Sequence, residues 1–205
     1  MGMRVATDFA RLGWRVGIAA RREDRLKDIK ALYPDRVEYM AIDVAAPDAV
    51  EKFYNLIELI DGMDYLLYAA GCGWFNPALD DARDDETIDV NVKGFTKIIT
   101  AAYKYYSRDA ANLHRGNIAA ITSVAGMKGI GVSATYSASK RYQWTFLQAI
   151  DQLAHQQHVN VSVTDLRPGF VDTPLLGAHK NYPMEMSVDY VAPRLETAML
   201  RGKRV

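Results

Sequence analysis

SVAGMKGIGVSATYSASK, residues 123–140, is the stretch that best predicts both the fold and the chemistry of this chain. A short apolar run over 117–122 precedes it and predicts a buried strand, and the apolar pattern that follows Tyr136 predicts a long helix. Tyr136 and Lys140 are four residues apart, so they share one face of that helix. Ser123 follows the strand at its carboxyl end, which is where open α/β sheets bind their ligands.

The spacing of Tyr136 and Lys140 places an ammonium group beside a phenol. A free phenol has a pKa of about 10 and is a poor base at neutral pH, and a neighbouring cation favours its ionised form. We therefore expect Lys140 to lower the pKa of Tyr136, and Ser123 to hold a carbonyl oxygen beside the phenol. A tyrosine and a lysine at this spacing also occur by chance on exposed helices, so the serine at the strand end makes the pattern informative.

Strands and helices alternate along the whole sequence. Strands are predicted at 15–20, 37–42, 64–70, 117–122 and 160–166, and helices at 1–12, 23–33, 47–60, 84–107, 136–157 and 187–200. This alternation predicts an α/β fold with a doubly wound, mostly parallel, Rossmann-like sheet and helices on both faces. Residues 1–205 contain no linker or repeat, so a single domain is expected.

Composition narrows the function classes. The chain has 205 residues, 49% of them hydrophobic, with 25 basic and 25 acidic side chains, which argues against a nucleic-acid binder. A single cysteine, Cys72, fits a reducing cytoplasm. No apolar run approaches the roughly 18 residues of a membrane helix, and the four histidines show no metal-ligand spacing. We therefore expect a cytoplasmic protein without a metal site or a membrane anchor.

Ser123, Tyr136 and Lys140, at these spacings, resemble the catalytic residues of the short-chain dehydrogenase/reductase family, and the resemblance covers nearly the whole chain. Asn91, in the run DVNVKG, completes the four-residue set. The resemblance implies an alcohol–carbonyl oxidoreductase in which Tyr136 is the general acid and base. Lys140 would hold the nicotinamide ribose, Ser123 the substrate oxygen, and Asn91 a helix kink and a water relay. A non-catalytic relative that binds nucleotide weakly or serves as a subunit scaffold is the alternative.

The end of the strand predicted at 15–20 carries the residues expected to select the cofactor. In the family an acidic residue there binds the adenosine ribose of NAD, whereas here Ala20 is followed by Arg21 and Arg22. A guanidinium can hold a 2′-phosphate bidentately, so NADP is the expected cofactor. The alternative is that the arginines pair with Glu23 and Asp24 at the start of the next helix.

The resemblance implies further cofactor contacts at several places along the chain. These are Gly2, which aligns with the last glycine of the phosphate loop; Asp43 and Val44 near the adenine; Ala70 and Gly71 in YAAG, where the family usually has NAAG; and Pro168, Gly169 and Thr173 near the nicotinamide. For Asp43, a role in the turn before the next helix is the alternative.

Substrate contacts are expected from Trp74, Phe75 and Leu175, together with Ser123. These side chains suggest an apolar or aromatic carbonyl compound, although ordinary packing explains Trp74 and Phe75 equally well. The resemblance also implies that the loop 174–186 forms a mobile lid over the substrate.

The predicted helices 84–107 and 136–157 are apolar over wide arcs. Their aromatic residues cannot all face one sheet, which indicates either a thick core or a helix–helix interface in a homodimer or homotetramer, as the resemblance implies.

The beginning of the chain departs from the family. There, a strand and a glycine-rich loop precede the first helix, and that strand would lie between the strands at 15–20 and 64–70. Without it both strands lose a ladder partner, so we expect separate strand edges at this place. The chain is therefore expected to be a fragment, shortened at both ends, and a variant that lacks the strand is the alternative.

Overall fold

The computed structural model describes residues 1–108, 116–176, 182 and 184–202. Strands and helices alternate through them, which confirms the predicted Rossmann-like α/β fold. The elements are α1 Gly2–Arg11, β1 Val16–Ala20, α2 Glu23–Leu32, β2 Val37–Ala41, α3 Ala49–Leu59, β3 Tyr65–Tyr68, α4 Asp81–Ile88, α5 Phe95–Arg108, β4 Gly116–Ile121, α6 Ala134–Gln156, β5 Val161–Leu166 and α7 Val188–Leu200.

All the strand pairs are parallel, but they form two separate sheets. One contains β1 and β2, with Val16 opposite Val37, and the other has the order β3-β4-β5. No ladder joins β1 to β3 within the described residues, so the predicted separation of these two strands is confirmed. In a parallel sheet an unpaired edge leaves a row of backbone amides and carbonyls without partners.

Helices and aromatic rings hold the two sheets together although their strands do not pair. The ring of Trp14, just before β1, lies 5.5 Å from the ring of Tyr65 at the start of β3. On one face, α1 packs Phe9 into a cluster that also contains Leu67 of β3. On the other face, Leu56 of α3 lies against β1. The starts of β1 and β3 are therefore connected by the Trp14–Tyr65 ring contact and by helices that pack against both strands.

The core is densest around β4, which is buried along its whole length. Ile118, Ala119 and Ala120 are fully inaccessible, and Phe95 and Leu147 from α5 and α6 are equally buried beside them. Because β4 pairs with β3 on one side and β5 on the other, all its backbone groups can find ladder partners. This half of the molecule forms the rigid base of the candidate site.

Several helix ends differ from their predicted positions. The helix expected over 47–60 begins at Ala49, with Pro47 outside it, and the one expected over 84–107 begins at Asp81. Asp80 caps that helix by accepting a hydrogen bond from the Arg83 amide, a signal that the apolar pattern does not contain. Ser187 caps α7, because its side chain accepts from Tyr190 N. None of the described helices has the length and apolar character needed to cross a membrane.

Candidate active site

Tyr136 lies in the first turn of α6, with its ring flat against Gly73. A β-carbon at Gly73 would lie 2.5 Å from Tyr136 Cδ2, so only glycine permits this close approach. The hydroxyl of Ser123 lies close enough to the Tyr136 phenol to lower its pKa. Ser123 stands in extended backbone just after β4, and its Oγ also accepts from Ala125 N at 3.1 Å. The structure thus brings together the two hydroxyls that the sequence predicted as neighbours.

Lys140, one turn further along α6, is almost completely buried. Its Nζ donates to the carbonyl of Ile121 at 3.2 Å and to Gln143 Oε1 at 3.0 Å, and it lies 5.7 Å from the centre of the Tyr136 ring. Both hydrogen-bond partners are neutral oxygens. Burial therefore dominates and lowers the pKa of Lys140 to about 8.

The pKa of Tyr136 does not move in the predicted direction. Removal of the phenol from water raises it, the negative charge of a Cys72 thiolate would raise it further, and only the hydrogen bond from Ser123 lowers it. The prediction that Lys140 lowers this pKa is wrong for the ligand-free chain. The physical reason is that the phenol is desolvated while the ammonium group is directed to Ile121 and Gln143.

Asn91 lies in a widened, π-helical turn, Asp89–Gly94, that joins α4 to α5. Its side chain is fully buried and grips the backbone of Cys72 twice, with Oδ1 accepting from N at 3.0 Å and Nδ2 donating to O at 2.7 Å. Nδ2 also donates to Ser139 Oγ at 3.0 Å. The irregular helix implied for this position is therefore present as a π turn, and Asn91 fixes it to the end of β3 and to α6.

Gln143 connects the asparagine to the lysine and was not predicted. Its Nε2 donates to the backbone carbonyl of Asn91 at 2.9 Å, and its Oε1 accepts from Lys140 Nζ. The sequence does contain a signal for Gln143, because it is seven residues after Tyr136 and three after Lys140 and therefore lies on the same helix face. Gln143 thus joins Asn91 to Lys140 through two hydrogen bonds.

The end of β3 meets this cluster at Gly71. A β-carbon at Gly71 would lie 3.4 Å from Asn91 Oδ1 and 3.5 Å from Lys140 Nζ, while Ala70 before it is half-buried. Tyr68 stands where the family usually has asparagine; it is buried, its ring packs edge-on against Phe95 at 5.2 Å, and its hydroxyl lies 3.4 Å from the carbonyl of Val90. Burial raises its pKa far above the usual range. Tyr68 thus links β3 to the π turn in place of an amide.

Gly2 lies at the start of α1 and against the end of β3. A β-carbon there would be 2.9 Å from the β-carbon of Ala69. The amino-terminal turn of α1, with its free backbone amides, therefore opens at the carboxyl ends of the strands, beside Gly71. This placement suits the phosphates of a nucleotide cofactor.

Arg21 follows β1 and is exposed. Among the described residues its ion pair is with Glu86 of α4, at 3.6 Å, and not with Glu23 or Asp24, the alternative partners; Glu23 pairs with Lys27 at 2.9 Å. Arg22 is also exposed and precedes α2 in extended backbone.

Asp43 and Val44 connect β2 to α3. Asp43 Oδ1 accepts from Ala45 N at 3.0 Å and its carbonyl accepts from Ala46 N, so the turn role considered for Asp43 is real. Val44 packs against the π turn, where a β-carbon at Gly94 would lie 2.7 Å from its Cγ2.

The segment after β5 runs beside the serine. The carbonyl of Pro168 accepts from Val124 N at 3.2 Å, Gly169 is half-buried near Met186, and Thr173 precedes the turn Pro174–Leu176. Leu175, on that turn, is exposed. Of the predicted lid 174–186, residues 177–181 and 183 lie outside the described residues.

Trp74 and Phe75 extend from the loop after β3 and are 43% and 51% exposed. Such exposure excludes ordinary core packing for these rings. The carbonyl of Trp74 accepts from Ser133 Oγ at 2.9 Å, just before α6, while its indole Nε1 donates to Glu86 Oε2 at 3.0 Å. The loop thus borders the Tyr136 site and presents an apolar surface to solvent.

A family model described as short chain dehydrogenase matches residues 1–182. The chain belongs to the short-chain dehydrogenase family. It is an oxidoreductase of that family, because similar curated proteins are oxidoreductases too. One from Myxococcus xanthus is 32% identical over 90% of this chain and 72% of its own length, and one from Mycobacterium tuberculosis is 31% identical over 85% and 70%.

Two solved structures have the same fold. An alcohol dehydrogenase from the archaeon Thermococcus sibiricus, complexed with 5-hydroxy-NADP, has a TM-score of 0.81 at 24% identity and covers all of this chain and 88% of its own. A 3-ketoacyl-(acyl-carrier-protein) reductase from Brucella melitensis, complexed with NADH, has a TM-score of 0.85 at 21% identity over 97% and 85%. At these identities the likeness establishes the fold.

Proposed function

We propose that this short-chain dehydrogenase transfers a hydride between NADP(H) and an alcohol or carbonyl substrate. The observation that carries the proposal is the juxtaposition of Ser123 and Tyr136 with Lys140, which is buried and lies 5.7 Å from the centre of the Tyr136 ring. Asn91 braces the same cleft from behind, through Cys72 and Gln143. A buried cation next to two converging hydroxyls is suited to a substrate oxygen that gains negative charge during reaction.

Tyr136 would act as the general acid in reduction and as the base in oxidation. Its raised pKa keeps the phenol protonated at neutral pH, ready to give its proton to the substrate oxygen. Ser123 would donate a hydrogen bond to the same oxygen, and Lys140 would hold the nicotinamide ribose. The cofactor supplies the hydride when it is bound.

The cofactor would lie across the carboxyl ends of both sheets. Arg21 and Arg22 are exposed cations at the β1 end, which supports binding of a 2′-phosphate and therefore NADP. A related structure holds 5-hydroxy-NADP, and another holds NADH. The other residues that would hold the cofactor are Gly2, Asp43, Val44, Ala70, Gly71, Tyr136, Lys140, Pro168, Gly169 and Thr173.

The substrate is proposed to be an apolar or aromatic carbonyl compound, or the matching alcohol. Trp74 and Phe75 expose their rings next to the segment that leads into Tyr136, and Leu175 is exposed on the turn after β5. Apolar surface of this kind, close to a few polar groups, is typical of small-molecule sites.

A homodimer or homotetramer through α4–α5 and α6 is proposed as well, in the cytoplasm. Some of the aromatic residues of these helices belong to the core, since Phe95, Tyr103 and Tyr106 are buried. Tyr142, however, is exposed and stacks on Phe146 with the ring centres 5.8 Å apart, which supports a second copy on this face.

The separate sheets favour a second candidate, a non-catalytic relative that binds nucleotide weakly or serves as a scaffold. Calorimetry with NADPH, combined with NADPH consumption over a series of aromatic and aliphatic aldehydes and ketones, distinguishes the two. Micromolar binding with turnover of at least one carbonyl is expected. Folded protein that binds NADPH and reduces none of them would favour the scaffold.

A further inference from the structure

The carboxylate of Glu86 joins two parts of the site that the sequence treated separately. Its Oε1 lies 3.6 Å from Arg21 Nη1, and its Oε2 accepts from Trp74 Nε1 at 3.0 Å. Arg21 follows β1, Glu86 lies on α4 and Trp74 lies in the loop after β3. One side chain therefore connects the residue expected to read the 2′-phosphate with a residue expected to contact the substrate.

The position of Glu86 is fixed by its surroundings. Cys72 Sγ lies 3.6 Å from the Glu86 backbone carbonyl, and Asn91 holds the backbone of Cys72 from the other side. The guanidinium of Arg83 lies over the Trp74 ring at 5.5 Å from its centre. The indole is thus held between a carboxylate at its edge and a cation on its face.

The contact between Glu86 and Arg21 can be displaced. The Arg21 side chain is 60% exposed and that of Glu86 36%, so water and salt screen their attraction. A phosphate carries more negative charge than a carboxylate and offers three strong acceptor oxygens, so it is the better partner for a guanidinium. Glu86 and a 2′-phosphate would compete for the same cation.

We propose that Glu86 is a specificity-determining residue, which competes with the 2′-phosphate of the cofactor for Arg21 and couples that choice to Trp74. The inference rests on the proposed use of NADP through Arg21. NADH has no 2′-phosphate and leaves the bridge in place. The 2′-phosphate of NADPH binds Arg21 and separates it from Glu86. The Glu86 carboxylate, which accepts from the Trp74 indole, is then no longer held in place by Arg21.

Replacement of Glu86 by glutamine tests the competition. Glu86→Gln keeps the length of the side chain and an acceptor for Trp74 Nε1 but removes the charge that holds Arg21. We expect NADPH and adenosine 2′,5′-bisphosphate to bind about two- to fivefold more tightly, the range of an exposed ion pair, and NADH to be unchanged. The measurement is isothermal titration calorimetry at low salt. Glu23→Gln, which removes a more exposed acid that is paired with Lys27, is the control and should change nothing.

The coupling between Arg21 and Trp74 through Glu86 can be measured separately, without an activity assay. Acrylamide quenching of the Trp74 fluorescence, isolated by subtracting the signal of Trp74→Phe, should increase when adenosine 2′,5′-bisphosphate is added. Adenosine 5′-monophosphate, which lacks the 2′-phosphate, should not increase it. In Glu86→Gln the response to the bisphosphate should be reduced.

The outcomes separate this inference from the proposed cofactor. If Glu86→Gln leaves NADPH affinity unchanged while Arg21→Asp weakens it, the role of Glu86 is refuted and NADP use stands. If the protein binds NADPH no better than NADH and Arg21→Asp changes neither, both are refuted. An unchanged Trp74 signal on addition of the bisphosphate refutes the coupling alone.

Discussion

The tripeptide Ile-Ala-Ala occurs twice in this protein, in β1 and in β4, and its two copies lie in different environments. Ile118, Ala119 and Ala120 of β4 are all fully inaccessible. In β1 Ile18 is buried, but Ala19 and Ala20 are exposed. The local sequence is identical, so the difference comes from the neighbours: β4 has a paired strand on each side, and β1 has one only.

The two halves of the sheet also differ in what they contribute to the site. The three-stranded half positions Ser123, Tyr136 and Lys140, whereas the two-stranded half ends in Arg21. Groups proposed for proton transfer thus stand on the densely packed half, where small displacements are resisted. The residue proposed to select the cofactor stands on the half with an open edge, where local opening requires less free energy.

The largest expected effect tests whether the chemistry belongs to the three-stranded half. Tyr136→Phe removes the phenolic proton while the ring keeps its contact with Gly73. Carbonyl reduction should fall by about a hundred- to ten-thousandfold, because general acid catalysis is lost, while NADPH affinity should fall far less, since the other cofactor contacts remain. Steady-state kinetics and calorimetry measure the two quantities. Tyr142→Phe, on the exposed face of the same helix, is the control, and retained activity in Tyr136→Phe would exclude this assignment.

The second prediction compares the two isoleucines. Ile118→Ala should lower the free energy of unfolding by about 2–5 kcal/mol, since its cavity lies in a core that cannot collapse. Ile18→Ala removes the same atoms from a strand with an open edge, so neighbours or water can fill the space and the loss should be clearly smaller. Urea unfolding followed by circular dichroism gives both values. Equal losses would mean that the two halves are equally packed.

A smaller effect is expected at the cofactor end. Arg21→Asp removes a cation and adds a repelling carboxylate, so NADPH should bind roughly 10- to 100-fold more weakly, while NADH changes little. Arg25→Asp, an exposed arginine on α2, controls for the change in net charge. Equal weakening of both cofactors would show that Arg21 does not read the 2′-phosphate.

The smallest effect concerns the buried lysine of the three-stranded half. The pKa of Lys140 is about 8 in the folded chain, against 10.5 for an ordinary lysine, so between these values the unfolded chain binds more protons. Stability linked to Lys140 therefore rises with pH in this window, by roughly 1 kcal/mol between pH 8 and 9, and is flat below it. The difference in unfolding free energy between wild type and Lys140→Met, measured at each pH, isolates this group. A difference that does not change from pH 7 to 10 would contradict the shift.

The sequence predicted those features that depend on chain order and helix periodicity. The alternation of strands and helices, the separation of β1 from β3 and the meeting of Ser123 with Tyr136 all follow from patterns within the chain. Contacts between segments that are far apart in the sequence were not predicted. Gln143 between Asn91 and Lys140 is one example, and the pKa of Tyr136, set by burial rather than by spacing, is another.

Among the site residues, too, features set by the local sequence were predicted and contacts with distant segments were not. Asp43 carried a turn signal and forms the turn. Arg21 was predicted to hold a 2′-phosphate or to pair with Glu23 and Asp24, yet its partner Glu86 is 65 residues away in sequence, at a position without a motif. The role of an exposed side chain such as Trp74 could not be decided from the sequence, because hydrophobicity alone does not distinguish a binding surface from a core.

The π turn at Asp89–Gly94 determines how this part of the chain would respond to the deletion of one residue. Such a turn accommodates one additional residue while the helix continues on both sides. Deleting a single residue within 89–94 would convert it to ordinary α-helix and leave Thr87 and Phe95 on their buried faces. In such a shortened chain the Asn91 carbonyl would return to the hydrogen bonds of the helix and would no longer be available to Gln143.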